Sequence, residues 1–176
     1  NKTLRKNEYK PKVQTPEYLL VDGYNVIFAW EELSELAKVS VAGAREKLQD
    51  IMCNYQGFRK CNLILVFDAY RVEGHEEEII PYHNIHVVYT KEAETADSFI
   101  ERTAHQIGRK YQVTVATSDG LEQVIIRGQG CAMMSARELK EEIERINQEI
   151  RRDYVEQFPG SKNYLFDYVP EELAKH

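Results

Sequence analysis

The 176-residue sequence lacks the features that define several classes of protein. Its three cysteines have no CxxC spacing, which excludes a disulfide framework and a cysteine-ligated zinc site. No apolar run approaches the roughly 20 residues that cross a bilayer, and no signal-peptide pattern opens the chain. Basic residues are not in excess, since the net charge is −6, which argues against a nucleic-acid coat held by phosphate neutralisation alone. We expect a cytoplasmic protein with no membrane partner.

Charge and periodicity divide the chain into three parts. Residues 1–17 contain five basic and two acidic side chains and no apolar period, which is typical of a basic linker. Residues 18–158 are predicted to form one domain, and residues 159–176 a C-terminal tail. Because residue 1 is Asn and not Met, we expect the chain to be excised from a longer protein.

From Tyr18 onward, short apolar runs alternate with longer segments of helical period, which predicts an α/β fold with a largely parallel sheet. The predicted strands are 18–22, 62–68, 85–89, 112–116 and 130–133. Their near-continuous hydrophobicity indicates strands covered on both faces. Helical spacing is present between the strands, in a short helix at 119–127, and in a long helix that starts at a capping box over 135–138. Residues 70–84 are expected to be a long connection that is either functional or mobile.

Four aspartates follow the predicted strands. Asp22 and Asp68 end the first and second strands, Asp119 follows the fourth, and Asp97 lies in the first turn of the helix after the third. Because the carboxyl ends of parallel strands lie along one edge of a sheet, all four are expected to meet in the crevice where α/β proteins bind ligands.

Such a group of carboxylates requires compensation. Two of them about 5 Å apart repel by roughly 3 kcal/mol at an effective dielectric constant of about 20. Shared protons or a hard cation would relieve this repulsion, and Mg²⁺ or Mn²⁺ suits oxygen ligands that have no His or Cys among them. Phosphoryl transfer or phosphodiester hydrolysis is the chemistry that such a site favours. Two acids have alternative interpretations: Asp119 begins a capping-box pattern with Glu122, and Asp97 can complement a helix N-terminus.

Polar and aromatic residues near this edge are further candidates. Asn25 either orients Asp22, contacts a phosphate, or stabilises a tight turn that Gly23 permits. Tyr24 and Trp30 either stack on bases or belong to the core. Three cations are candidate phosphate contacts and are otherwise ordinary surface residues: Arg71, Lys91 and Arg127. One further acid, Glu94, is a candidate ligand or helix cap.

Six stretches in order along the chain resemble a known family. They are 19–25 (LLVDGYN), 66–69 (VFDA), 90–97 (TKEAETAD), 116–119 (ATSD), 128–130 (GQG) and 135–139 (SAREL). Together they resemble the YacP-type NYN domains, which are PIN-like ribonucleases of bacteria. The resemblance runs from about residue 18 to about residue 158.

The resemblance implies a three-layer PIN-like α/β fold and a divalent-metal-dependent endoribonuclease. By its motifs Asp22 and Asp97 match the principal catalytic acids, while Asp119 and Asp68 match additional acidic positions. Asp22, Asp97 and Asp119 are then the expected ligands of Mg²⁺ or Mn²⁺. The resemblance also implies messenger RNA as substrate and the ribosome as partner. Similar domains occur at the C-terminus of elongation-factor-like ribosomal protection proteins.

Two other functions remain open from the residues. The first is a non-catalytic module that binds RNA or the ribosome, although a binding module has no need of clustered acids. The second is a small-molecule phosphatase or receiver-like domain, which the absence of a DxD pattern after the first strand disfavours, since Asp22 is followed by Gly-Tyr-Asn.

Overall fold

A computed structural model describes residues 16–69 and 76–157. Predictions for residues 1–15, 70–75 and 158–176, Arg71 among them, lie outside the described residues. The described part of the chain forms these elements in order: β1 Glu17–Asp22, α1 Gly23–Ala29, α2 Glu31–Val39, α3 Val41–Arg59, β2 Asn62–Phe67, β3 Glu78–Tyr82, β4 Ile85–Tyr89, α4 Ala96–Ile107, β5 Gln112–Ala116, α5 Gly120–Gly128, β6 Ala132–Met134 and α6 Ala136–Gln157. None of these helices is long and apolar enough to span a membrane.

The strands form one six-stranded sheet in the order β3-β4-β2-β1-β5-β6. All neighbours pair in parallel except β3 and β4, which are antiparallel. The central strand shows why its sequence is continuously apolar: Leu19 and Val21 pack on one face of the sheet and Leu20 on the other, and none is exposed to solvent. Burial on both faces is characteristic of parallel strands that helices cover.

Helices cover the two faces unequally. The larger core lies under α1, α2, α3 and α6 and includes Leu48 and Leu139. The smaller core lies under α4 and α5 and includes Ile100 and Ile126. The predicted α/β fold with a central, mostly parallel sheet between helical layers is confirmed.

The strand order places a switch point beside β1. The chain moves from β1 to β2 and β4 on one side, and α4 then carries it across to β5 on the other side. Connections therefore leave β1 and β5 in opposite directions, which opens a crevice at their carboxyl ends. Ligand sites in open α/β sheets lie in such a crevice, so this position directs attention to the residues that follow these two strands.

Three local predictions are corrected by the structure. Part of the expected connection over 70–84 is the edge strand β3, which the sequence concealed because Pro81 and its acidic flank resemble a loop. The last strand begins at Ala132 rather than at residue 130, because Gly130 has a φ of 79° and belongs to a turn. Asn25 lies in the first turn of α1, not in a tight turn.

Gly23 has a packing role at the start of that helix. A Cβ atom there would lie 2.3 Å from Cε1 of Phe67 and 2.9 Å from the carbonyl oxygen of Val66. Only glycine therefore lets α1 begin directly over β2. This close approach fixes where Asp22, the residue before it, ends the first strand.

Candidate active site

Three carboxylates from different elements meet at the carboxyl edge of the sheet. Asp22 ends β1, Asp97 lies in the first turn of α4, and Glu122 lies in the first turn of α5. One oxygen of each lies within 4.8 Å of those of the other two. The switch point explains the grouping, since β1, the crossing helix α4 and the helix after β5 all open onto the same crevice.

Glu122 is the least expected member of this acid cluster. Its side chain is only 4% exposed, and neither carboxylate oxygen has a hydrogen-bond donor in the described part of the chain. Burial, followed by the charge of Asp22 and contact with Asp97, raises the pKa of Glu122 from 4.5 to about 9, against a smaller opposing effect of the Thr117 hydroxyl. Burial and the neighbouring acids thus favour the protonated form of Glu122, and a bound cation would favour the charged form.

The charged form of Asp22 is also disfavoured. Burial, followed by hydrogen bonding and repulsion from Asp97, raises the pKa of Asp22 from 3.8 to about 7. The backbone N–H of Asn25 opposes this rise, whereas the charge of Asp68 adds to it. Two such carboxylates about 5 Å apart repel by roughly 3 kcal/mol at an effective dielectric constant near 20.

Asp68 lies beside the cluster rather than within it. Its Oδ1 accepts a hydrogen bond from the backbone N–H of Ala96, at the start of α4. Half-burial, and secondarily the charge of Asp97, raise its pKa above the ordinary value, while the bond from Ala96 acts in the opposite direction. The side chain therefore both anchors α4 and adds negative charge next to Asp97.

Asp119 caps α5 and is not one of the three clustered acids. Its Oδ1 accepts hydrogen bonds from the backbone N–H groups of Leu121 (3.0 Å) and Glu122 (3.2 Å). In a full capping box, Glu122 would reach back to the backbone N–H of Asp119. Here the hydroxyl of Thr117 accepts from that N–H at 3.1 Å, which leaves the Glu122 carboxylate free to face the crevice.

Asn25 joins two sides of the crevice. Its Oδ1 accepts a hydrogen bond from the backbone N–H of Ser118 at 2.7 Å, which ties α1 to the loop after β5. The Ser118 hydroxyl in turn accepts from the N–H of Ala136 at 3.0 Å. Through this loop, Asn25 helps to set the separation between Asp22 and Glu122.

The other candidates are placed variously around this edge. Lys91 is exposed and lies 3.8 Å from the carboxylate of Glu94, which is itself buried and paired with Arg102 at 2.9 Å. Glu94 is therefore held by cations outside the acid cluster. Arg127 is exposed in the last turn of α5, more than one turn from Glu122 and towards the opposite edge of the sheet.

The two aromatic candidates differ in environment. Trp30 is only 6% exposed, and its Nε1 donates to the carbonyl oxygen of Ala136 at 2.7 Å, so it belongs to the core. Tyr24 is half-buried and packs edge-on against Phe67, with ring centroids 5.1 Å apart.

The donor set suits a hard divalent cation. Asp22, Asp97 and Glu122 offer only carboxylate oxygens, the ligands that Mg²⁺ and Mn²⁺ accept most readily in proteins. A cation would also stabilise the two buried Glu122 oxygens that otherwise have no donor. The fold and the acid cluster thus define an α/β domain able to bind a metal ion at its switch point.

Comparisons with known proteins identify the family. The model of the YacP-like NYN domain matches residues 19–176, and the chain belongs to that family. The uncharacterized protein YacP of Bacillus subtilis (strain 168) is 44% identical over 137 residues, which cover 77% of this chain and 80% of YacP.

Crystal structures of Rae1 (YacP) from Bacillus subtilis share the fold. One has a TM-score of 0.67 and 41% identity, and covers 90% of this chain and 92% of that chain. A second structure, of a mutant in which one tryptophan is replaced by leucine, has a TM-score of 0.71 and 40% identity, with coverage of 82% and 85%. The resemblance inferred from the motifs is confirmed, and membership in the NYN family is consistent with ribonuclease activity.

Proposed function

We propose that this protein is a divalent-metal-dependent endoribonuclease that hydrolyses RNA phosphodiester bonds at the acid cluster. The observation that carries the proposal is the meeting of Asp22, Asp97 and Glu122 in a crevice where the buried Glu122 carboxylate has no donor among the described residues. Sequestering three mutually repelling acids destabilises the fold, and a structural role would not require it.

In this proposal the three acids would hold Mg²⁺ or Mn²⁺ through carboxylate oxygens. Such an ion would supply Lewis-acid chemistry at these residues, namely polarisation of the phosphodiester, a lowered pKa of water and stabilisation of the leaving oxygen. Asp68, beside Asp97, is the candidate to accept a proton from the attacking water. Asn25 positions the loop after β5, and Lys91 is an exposed cation available to a phosphate.

Messenger RNA as the substrate, the ribosome as a partner and a cytoplasmic location also belong to the proposal. Their support is the membership of the NYN family and the ribonuclease chemistry that the acid cluster favours. Fusion to an elongation-factor-like ribosomal protection protein is a further arrangement that agrees with this family.

Cleavage of end-labelled single-stranded RNA tests the enzymatic proposal. We expect cleavage with Mg²⁺ or Mn²⁺, none in EDTA, and none in the folded variants Asp22→Asn and Asp97→Asn. Asp153→Asn, which removes an exposed carboxylate of α6, is the matched control and should cleave like the wild type.

Each other outcome has a definite meaning. Cleavage that persists in EDTA, or in both cluster variants, would exclude this site as the origin of the activity. RNA binding without cleavage under any metal condition would favour the non-catalytic module. Hydrolysis of a generic phosphomonoester without action on RNA would favour a phosphatase.

A further inference from the structure

Four aromatic rings form a row next to the acid cluster. Phe28 and Tyr24 of α1 are stacked, with centroids 6.3 Å apart and planes 22° apart. Tyr24 meets Phe67 edge-on at 5.1 Å, and Phe67 stacks on Tyr89 at 5.8 Å. Rings supported in this way by their neighbours are held in place, so their exposed faces form a rigid surface.

The solvent end of this row is Phe28, whose side chain is 61% exposed. A single exposed Phe is common on protein surfaces and indicates nothing by itself. The position of Phe28 is distinctive because Tyr24 supports one side of its ring while solvent reaches the remainder. Such a ring can accept a planar partner without any rearrangement of the fold.

The row is close to the proposed chemistry along the chain and in space. Asp22 is the N-cap of α1, and Phe67 directly precedes Asp68. From Gly23 to Phe28 the helix rises about 7.5 Å, at about 1.5 Å per residue. That axial rise spans a few nucleotides of a strand at most, and the row also reaches the residue next to Asp22, since a Cβ atom on Gly23 would lie 2.3 Å from the Phe67 ring.

A cation lies beside the same rings. Nη1 of Arg45, on α3, donates a hydrogen bond to the Tyr24 hydroxyl at 3.1 Å. The guanidinium has five N–H donors, so this bond leaves others for an anion. An aromatic face next to a basic group is the combination with which proteins bind single-stranded nucleic acid without sequence preference.

We propose that Phe28, supported by Tyr24, is a stacking platform for one unpaired base of the RNA, within a few nucleotides of the phosphate at the acid cluster, and that Arg45 contacts the intervening backbone. The inference rests on the proposed function, because the cluster defines where the reacting phosphate lies. It predicts that single-stranded RNA binds better than duplex RNA, since the faces of a base inside a duplex are covered by the neighbouring base pairs.

Fluorescence of short single-stranded RNAs tests the platform, with 2-aminopurine placed at each position in turn. The Asp97→Asn background with Mg²⁺ prevents cleavage during the measurement. We expect quenching at one position, and Phe28→Ala should abolish it and weaken binding about 5- to 150-fold, the range for loss of one base stack. Phe28→Trp and Phe28→Tyr should retain binding.

Phe58→Ala is the matched control. Phe58 is also exposed, at 49%, but lies near the end of α3 at the opposite edge of the sheet. Binding by this variant should equal that of the Asp97→Asn background. In the otherwise wild-type enzyme, Phe28→Ala should raise KM for single-stranded RNA and leave kcat nearly unchanged.

The failures of the two proposals are distinguishable. Quenching and affinity that Phe28→Ala leaves unchanged would overturn the platform, whatever the cleavage assay shows. An equal loss in Phe58→Ala, or a lowered melting temperature in Phe28→Ala that accounts for the loss, would also overturn it. Absence of cleavage by the wild type, together with Phe28-dependent quenching, would overturn only the nuclease proposal.

Discussion

Acidic side chains gather at both edges of the sheet, but their interaction partners differ. At the amino edge, Glu17 is paired with Arg59 and accepts from the Thr114 hydroxyl at 3.3 Å. Glu142 accepts from the Tyr55 hydroxyl at 2.7 Å, and Arg59 lies 3.6 Å from it. Each carboxylate of this paired network therefore has its donor.

At the carboxyl edge the acids face one another. Asp22, Asp97 and Glu122 are mutual neighbours, and the oxygens of Glu122 have no donor in the described part of the chain. The pKa shifts express the same contrast. Burial acts to lower the pKa of Arg59, but its hydrogen bonds to Glu17 and Tyr55 outweigh burial and raise that pKa. Burial and repulsion instead raise the pKa values of Asp22 and Glu122. Breaking an acid's ion pair destabilises a fold, whereas clustered buried acids with shifted pKa values are typical of a functional site that binds a cation.

Substitution within the acid cluster at the carboxyl edge should affect activity most. Glu122→Gln keeps the shape of the side chain, removes the carboxylate that would bind a cation, and supplies an N–H donor to Asp22 or Asp97. We expect RNA cleavage to fall by at least about 100-fold, while the melting temperature in EDTA stays the same or rises. Assays of cleavage and thermal unfolding on the same preparation measure both. A variant that loses activity only because it unfolds would contradict the claim that the cluster acids serve activity rather than stability.

Substitution in the paired network at the amino edge should instead lower stability and leave activity unchanged. Arg59→Met leaves Glu17 without its cation and Glu142 with only Arg145, 4.0 Å away. We expect a loss of about 2 kcal/mol in the free energy of unfolding, below the cost for fully buried pairs because these groups are partly exposed. Cleavage per folded molecule should be unchanged. Urea unfolding measures the loss, with Arg137→Met as control, since its ion pair with Glu141 on the same helix is exposed. Equal losses in the two variants would refute the distinction.

The pH dependence of stability should also distinguish the acid cluster from the paired network. Because the folded-state pKa values of Asp22 (about 7) and Glu122 (about 9) exceed the ordinary values, the folded chain binds more protons than the unfolded chain from about pH 4 to pH 9. In EDTA the melting temperature should therefore fall as pH rises through this window.

The Glu122→Gln variant isolates the contribution of the cluster. Its melting temperature should fall less steeply with pH than that of the wild type. Mg²⁺ should flatten the wild-type curve, because a ligand that binds only the folded state stabilises it. A wild-type curve in EDTA that is parallel to that of the variant would show that the cluster does not titrate in this window.

The sequence predicts the framework of this site because strand ends are local features. A carboxylate after an apolar run, as at Asp22, is recognisable without knowing the fold, and parallel order brings such residues to one edge. The edge strand β3 was missed because it pairs on one side only, so its burial pattern is weak and its Pro81 is tolerated.

In the sequence, Glu122 figures only in an alternative interpretation of Asp119, because its spacing from Asp119 fits a capping box. The outcome depended on Thr117, whose hydroxyl takes the backbone N–H of Asp119, a competition that spacing alone does not reveal. One signal was nevertheless available: Glu122 lies four residues before Ile126, and both occupy the buried face of α5. An acid on the apolar face of a helix near a switch point is a candidate ligand.

Asp119 provides the smallest effect and the finest test of this interpretation. Asn caps a helix as well as Asp does, whereas Ala does not. If Asp119 acts only through the N–H groups of Leu121 and Glu122, Asp119→Asn should keep both stability and cleavage, while Asp119→Ala should lose about 1 kcal/mol, or about 2–4 °C in melting temperature. If its charge instead contributes to metal binding, Asp119→Asn should lose cleavage with its stability intact. Melting temperature and Mg²⁺-dependent cleavage of the two variants therefore decide whether the capping residue of α5 also belongs to the site that its helix completes.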